Sequence, residues 1–250
     1  MNKLILLFGL LGSLLYPQHT TSDTIAPSNG LIAYYSFNAC DALDESGNDS
    51  HGQIYGSGEC RCGVEGNGLL LNGQTDYIEF DGIVNDYFTT SDLTVSFYFK
   101  PIGNSIFKQS LLSKRSVCDD DHSFEILLDQ PNQIMKTDFV EEEIKEFGDL
   151  DAPLENGAWH HYAIVRSGVK AYTYINGRLM NEARRCSGVD IANDTPLSIG
   201  NGPCIGNGAR RFHGIVDELR IYEKPLSHDC LLYTSPSPRD RTRSRMPSSA

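Results

Sequence analysis

The side chains best suited to covalent chemistry here are the cysteines. There are seven: Cys40, Cys60, Cys62, Cys118, Cys186, Cys204 and Cys230. Cys60-x-Cys62 has the close spacing of a metal or redox pair. In an exported acidic chain, however, cysteines at such spacing serve as staples. His160-His161 offers two imidazoles, but neighbours on a strand diverge, and no Cys or carboxylate stands at ligand spacing beside them. They read as strand residues next to Trp159. Asp217-Glu218 is a carboxylate doublet whose members a regular strand points to opposite faces. The triplets Asp119–Asp121 and Glu141–Glu143 are solvated acidic loops, with a second cation or a basic partner as the alternative. The sequence contains no nucleophile elbow or phosphate-cradling loop.

The elements that must position these groups are short strands. Leu31–Phe37, Gly68–Leu71, Tyr77–Phe80, Leu93–Phe99, Phe124–Leu128, Trp159–Val165, Leu197–Ile199 and Phe212–Tyr222 are rich in β-branched and aromatic residues. Glycine-, Asn- and Asp-rich turns separate them, as in Asp44–Gly52. Tyr172–Met180 is the clearest hairpin, because Asn176-Gly177 supplies the two positive φ angles of a type I′ turn. A helical period is confined to one turn over Val140–Phe147. Many short strands without βα alternation specify an all-β fold, a sandwich or jelly roll. Its exposed aromatics would stack on sugar rings, from a pool of Tyr34, Tyr55, Tyr87, Tyr98 and Tyr172.

The 250 residues suit one large sandwich, and 40% of them are apolar, too many for a disordered chain. A net charge of −12 argues against a nucleic-acid partner, since such binders gather Lys and Arg on one face. Residues 1–18 read as a signal peptide: Lys3, the apolar run Leu4–Leu15, then Tyr16-Pro17-Gln18. The run is too short to span a bilayer, and no later stretch is long enough. Residues 19–29 are a polar lead-in and residues 30–229 the folded domain. Residues 230–250 fit no fold logic. Cys230 to Asp240 and Ser244 to Ala250 resemble a translated sequencing adapter read in one frame, with Arg241 to Arg243 where a sample index sits. That tail holds four Arg and one Asp, so the rest of the chain is three charges more acidic. Without Cys230, six cysteines remain, an even number suited to three disulfides in an oxidising compartment.

Several segments in order resemble the LamG-type concanavalin A-like superfamily. Gly30-Leu-Ile-Ala-Tyr-Tyr-Ser-Phe-Asn38 resembles its opening strand and Asp44-x-Ser46-Gly47-Asn48-x-x-His51-Gly52 the loop after it. Leu71–Phe80, Trp159-His-His with Tyr174-Ile-Asn-Gly177, and Gly214–Tyr222 followed by Pro225-Leu226-Ser227 resemble later elements. The resemblance implies a two-sheet antiparallel jelly-roll sandwich used for carbohydrate or protein binding and adhesion. It also implies a structural calcium ion between the first loop and the final strand, held here by Asp44, Asn48, carbonyls around Ser46, and Asp217. Calcium takes about 6–8 hard oxygen ligands.

Glucanases of this superfamily carry Glu-x-Asp-x-x-Glu on one strand. Glu79-Phe-Asp81 begins that pattern, but Val84 stands where the second Glu belongs, so no catalytic residue is assigned. Among the cysteines, Cys186 with Cys204 would staple the loop from Val189 to Gly202, and Cys40 with Cys60 or Cys62 the first loop. Cys118 takes the remaining partner. Six cysteines allow fifteen connectivities, and the sequence does not choose. Each bond would stabilise by roughly 2–4 kcal/mol. The functional expectation is a secreted or cell-surface, non-catalytic binding module for a glycan or surface protein. Its alternatives are an accessory domain of a larger secreted glycoside hydrolase and a repeat unit of an adhesin.

Overall fold

The computed structural model describes residues 30–148, 150–154 and 159–233, without the side chains of 232 and 233. The signal peptide, the lead-in and residues 234–250 of the adapter-like tail lie outside the described residues. Among the described residues seventeen strands form, in chain order. The first nine are β1 (Leu31–Tyr35), β2 (Gly52–Tyr55), β3 (Glu59–Cys62), β4 (Asn67–Asn72), β5 (Tyr77–Phe80), β6 (Leu93–Pro101), β7 (Lys108–Lys114), β8 (Ser123–Asp129) and β9 (Ile134–Glu142). There follow β10 (Lys145–Phe147), β11 (Ala152–Pro153), β12 (His160–Ser167), β13 (Lys170–Ile175), β14 (Arg178–Arg184), β15 (Leu197–Ile199), β16 (Ala209–Arg211) and β17 (His213–Tyr222). A short helix, α1 (His228–Tyr233), ends the described chain.

The strands make two sheets. One has eight strands in the order β14-β13-β12-β6-β17-β4-β3, with β1 also on β17. The other has nine, β10-β9-β8-β7-β15-β5-β2, with β11 on β9 and β16 on β7. All of these pairs are antiparallel except β16 with β7. The expected two-sheet sandwich is the fold found. Strand alternation places one core between the sheets: Val95, Phe97 and Phe99 of β6 meet Ile78 and Phe80 of β5 and Phe124, Ile126 and Leu128 of β8. Inside it Thr137 and the Tyr162 hydroxyl are hydrogen-bonded to each other, satisfying two buried polar groups across the sheets.

The Asn176-Gly177 turn forms as expected, with φ of 51° and 76°. The helical turn read over Val140–Phe147 does not form. That stretch is the β9–β10 hairpin, with Phe147 opposite Phe139. The domain edge drawn at Asp229 falls inside α1. Leu231, within the adapter-like segment, is fully buried. It joins Ala163, Val165, Tyr174, Tyr222 and Leu226 in a second apolar cluster.

Candidate functional site

The outer face of the nine-stranded sheet is polar because its register is strict. The inward row runs Ile54, Ile78, Ile199, Leu112, Ile126, Thr137 across six strands. The outward row beside it runs Gln53, Glu79, Ser198, Ser113, Glu125, Asp138. The segment from Gly200 to Arg211 crosses this row. The Asn201 carbonyl accepts hydrogen bonds from the Ser110 and Ser198 hydroxyls, and its amide donates to Glu79 Oε1 at 3.0 Å. Gly202 lies so close to the sheet that a Cβ there would sit 3.2 Å from Ser113 Oγ. Cys118–Cys204 ties the segment down at one point and the β16–β7 pairing at another.

On one side of this strap is a hollow of about 190 Å³ lined by Glu125, Asp138, Arg115 and Asn207. Glu125 is 1% exposed, and its carboxylate meets the Arg115 guanidinium at 2.7 Å. Asp138, directly opposite on β9, is pushed up to about 6, first by burial and then by the Glu125 charge.

On the other side, at the rim of the sandwich, lies an open cleft of about 360 Å³. The Arg210 guanidinium lies 4.1 Å from the Phe107 ring centre. Arg211 lies 4.3 Å from that of Tyr77, which itself stacks on Tyr55 at 4.5 Å. Such cation–π contacts order both arginines. Asn104, Gln74 and His213 complete the polar wall. Ile106 is 82% exposed and Phe107 40% exposed. The cleft thus combines an apolar plate with convergent donors, the arrangement that binds an amphipathic ring.

Of the aromatic pool, Tyr55 is on this face. Tyr34 and Tyr98 are buried, while Tyr87 and Tyr172 are partly buried against the two apolar clusters. Glu79, half-buried, anchors Asn201, and Val84 is buried in a 3-10 turn. His160 and His161 diverge as expected: the first ring lies against Phe99 in the core, and the second meets Ser96 Oγ at 2.8 Å. Arg210, Arg211, Phe107, Glu125 and Asp138 were missed by the sequence reading. An Arg-Arg pair in so acidic a chain was the available signal.

The disulfides correct two expectations. Cys40 bonds Cys60, one of the pairings weighed, but Cys204 bonds Cys118 rather than Cys186. Cys62 and Cys186 are exposed free thiols, so two bonds form where three were expected. Cys186 follows the edge strand β14 of the eight-stranded sheet, whereas Cys204 lies on the strap across the other sheet.

The calcium residues occupy two places. Asp44 builds the first loop: its carboxylate accepts from the Tyr34, Ser46 and Ser50 amides and the Ser46 hydroxyl, all at 2.9–3.0 Å. Asn48 donates to the Leu31 and Ile32 carbonyls. Asp217 stands apart. One of its oxygens accepts from the Val64 and Glu65 amides. The other, Oδ1, is buried with no hydrogen-bond partner. Burial, aided by the Glu218 charge and opposed by the Val64, Glu65 and Glu218 amides, pushes Asp217 up to about 7. The strict alternation expected of Asp217 and Glu218 is broken by a bulge, with Glu218 at φ 53°. An orphaned buried carboxylate oxygen fits a cation, whereas the four donors on Asp44 already satisfy it. Among the described residues no group of three or more His, Cys, Asp or Glu converges as a metal site, and no helix is long and apolar enough to cross a membrane.

A family model, the Concanavalin A-like lectin/glucanases superfamily, matches residues 72–230. No curated protein sequence matches the chain. Among solved structures, domain 4 of AbnA, an extracellular GH43 arabinanase from Geobacillus stearothermophilus in complex with arabinotriose, superposes with a TM-score of 0.64. It is 23% identical, and the match covers 83% of this chain and 98% of that one. The binding domain of Paraclostridial Mosquitocidal Protein 1 gives a TM-score of 0.66 at 17% identity, over 83% and 52% of the two chains. The binding domain of botulinum neurotoxin DC in complex with SialylT gives 0.64 at 12%, over 83% and 51%. The match spans about half the length of those toxin domains, and the likeness is one of fold.

Proposed function

The chain belongs to the Concanavalin A-like lectin/glucanases superfamily, and we propose that it is a secreted, non-catalytic module that binds a glycan, free or on a surface protein. The rim cleft carries this reading: the Phe107–Arg210 pair and the polar side chains of Asn104, Gln74 and His213 line a space of about 360 Å³, within the roughly 300–1,000 Å³ of small-ligand sites. The disulfides that form support export to an oxidising compartment. The arabinotriose complex of the arabinanase domain supports a glycan as ligand and favours a second reading, an accessory module of a larger hydrolase. A calcium ion at Asp217, tying the final strand to the Val64–Glu65 turn, is the structural cofactor of this reading, with Asp44 and Asn48 shaping the adjoining chain end.

The test is an oligosaccharide array followed by calorimetry on the purified chain. Phe107→Ala should weaken the best glycan by roughly 10-fold, the equivalent of about 1.4 kcal/mol of stacking. A chain that binds no oligosaccharide, or a variant that binds as tightly as the parent, removes the reading. Release of reducing sugar that stops with Glu125→Gln would make the protein an enzyme instead.

A further inference from the structure

The charge of the cleft runs against the charge of the chain. Asp and Glu number 33 against 21 Lys and Arg, yet none of the residues lining the cleft is acidic, and Arg210, Arg211 and His213 are among them. Arg61, Arg115 and Arg220 each pair with a carboxylate, those of Glu59, Glu125 and Glu218. Arg210 and Arg211 do not. Their hydrogen bonds among the described residues go to neutral acceptors: Arg210 to the Ala209 carbonyl, and Arg211 to the Gly200 carbonyl and Asn201 Oδ1. Each guanidinium is held over an aromatic ring, 4.1 and 4.3 Å from the ring centres, so little side-chain entropy remains to be lost when an anion docks. The strap that presents them is fixed by a disulfide and by its pairing with β7. A preordered pair of cations without counter-charges, beside exposed Phe107 and Ile106, matches a ring that carries an anionic group.

We propose that the ligand of the rim cleft is an acidic oligosaccharide, its carboxylate or sulfate held by Arg210 and Arg211 while a sugar face lies on Phe107 and Ile106. This rests on the glycan-binding reading and names the class of glycan. The chain's overall negative charge confines the attraction to the cleft, so short acidic oligomers suit it better than long polyanions.

The experiment is calorimetric titration of the purified chain with three sets of short oligomers: uronates, sulfated sugars, and the neutral reduced counterparts of each. It is run at low and at raised salt, with Arg210→Gln and Arg211→Gln beside the parent, each checked for an unchanged melting temperature. The expected result is that at least one acidic set binds at least 10-fold tighter than its neutral counterpart, and that salt narrows the gap. Either Gln variant should lose most of the gap between an acidic oligomer and its neutral counterpart. The two acidic arms tell carboxylate from sulfate. Equal binding of acidic and neutral oligomers overturns the inference and leaves the glycan reading standing. An acidic preference untouched by both Gln variants also overturns it, because the anion then binds elsewhere. Failure of every oligomer to bind removes both.

Discussion

Cys118 and Cys204 are bonded to each other across 86 residues of chain, the longer of the two disulfide loops. The bond fixes the strap that goes on to present Arg210 and Arg211. On a chain-entropy account the free energy grows with the logarithm of the loop, giving about 4–5 kcal/mol for this bond and about 3 kcal/mol for the 20-residue Cys40–Cys60 loop. Paired Cys→Ser variants should therefore differ in urea midpoint, with Cys118/Cys204 the less stable. Ligand affinity should fall in that variant and not in Cys40/Cys60. Equal affinity in both would show that the strap holds without its bond.

Asp138 faces Glu125 across the β8–β9 pair. The Asp138 carboxyl rises from the ordinary 3.8 to about 6 in the folded chain, so the folded state holds this proton more tightly than the unfolded. That contribution is complete below about pH 4 and is lost as pH rises through 6. Asp138→Asn removes the cost, worth on the order of 2 kcal/mol at pH 7.5. The variant should melt higher than the parent at pH 7.5 and together with it at pH 4. A parent that stays ahead at pH 7.5 would mean that Asp138 is ionised and usefully paired.

The fold was legible where the chain obeys a simple period. β12 alternates cleanly, with Tyr162 and Ile164 in the core and Ala163 and Val165 in the second cluster, and Asn176-Gly177 carries its own turn chemistry. β7 escaped because a bulge between Ser110 and Leu112 interrupts its alternation. β9 escaped although Met135, Thr137 and Phe139 do alternate, since Lys136, Asp138 and the acidic run after them dilute the apolar signal. The cleft was illegible for a different reason. Phe107 and Arg210 meet only because β16 returns in parallel beside β7, and no local pattern records a contact between such distant residues. The Asp217–Glu218 bulge is likewise a property of the paired strand, not of its own residues.

Asp217 and Asp44 should respond oppositely to calcium. Asp217 carries a buried oxygen without a partner, and Asp44 has a donor set already complete. Millimolar calcium should raise the melting temperature of the parent, because binding to the folded chain alone stabilises it. Asp217→Asn should abolish that rise. In chelator at pH 8 it should melt at or above the parent, since it removes a buried charge that is costly there. Asp44→Ala should lower stability with or without calcium, by about 2–4 kcal/mol for its lost hydrogen bonds, and should keep the calcium response. A response lost in Asp44→Ala and kept in Asp217→Asn would place the ion in the first loop instead.

Leu231 decides whether the outer side of the eight-stranded sheet is closed. Its neighbour Cys230 is exposed, but Leu231 is fully buried against the cluster of Ala163, Val165, Tyr174, Tyr222 and Leu226. The helix that carries it is steadied by His228, whose Nε2 lies 2.7 Å from the Gly177 carbonyl in the hairpin turn. Removing a buried Leu side chain costs about 2–5 kcal/mol, so Leu231→Ala should lower the melting temperature by several degrees. Cys230→Ser should leave it unchanged. A chain ended after Asp229 should lose as much as Leu231→Ala and should bind a hydrophobic dye, because Val165 and Tyr174 are then uncovered. The apolar demand at this position belongs to those strands and not to the helix. Leu231→Met should therefore restore most of what Leu231→Ala loses.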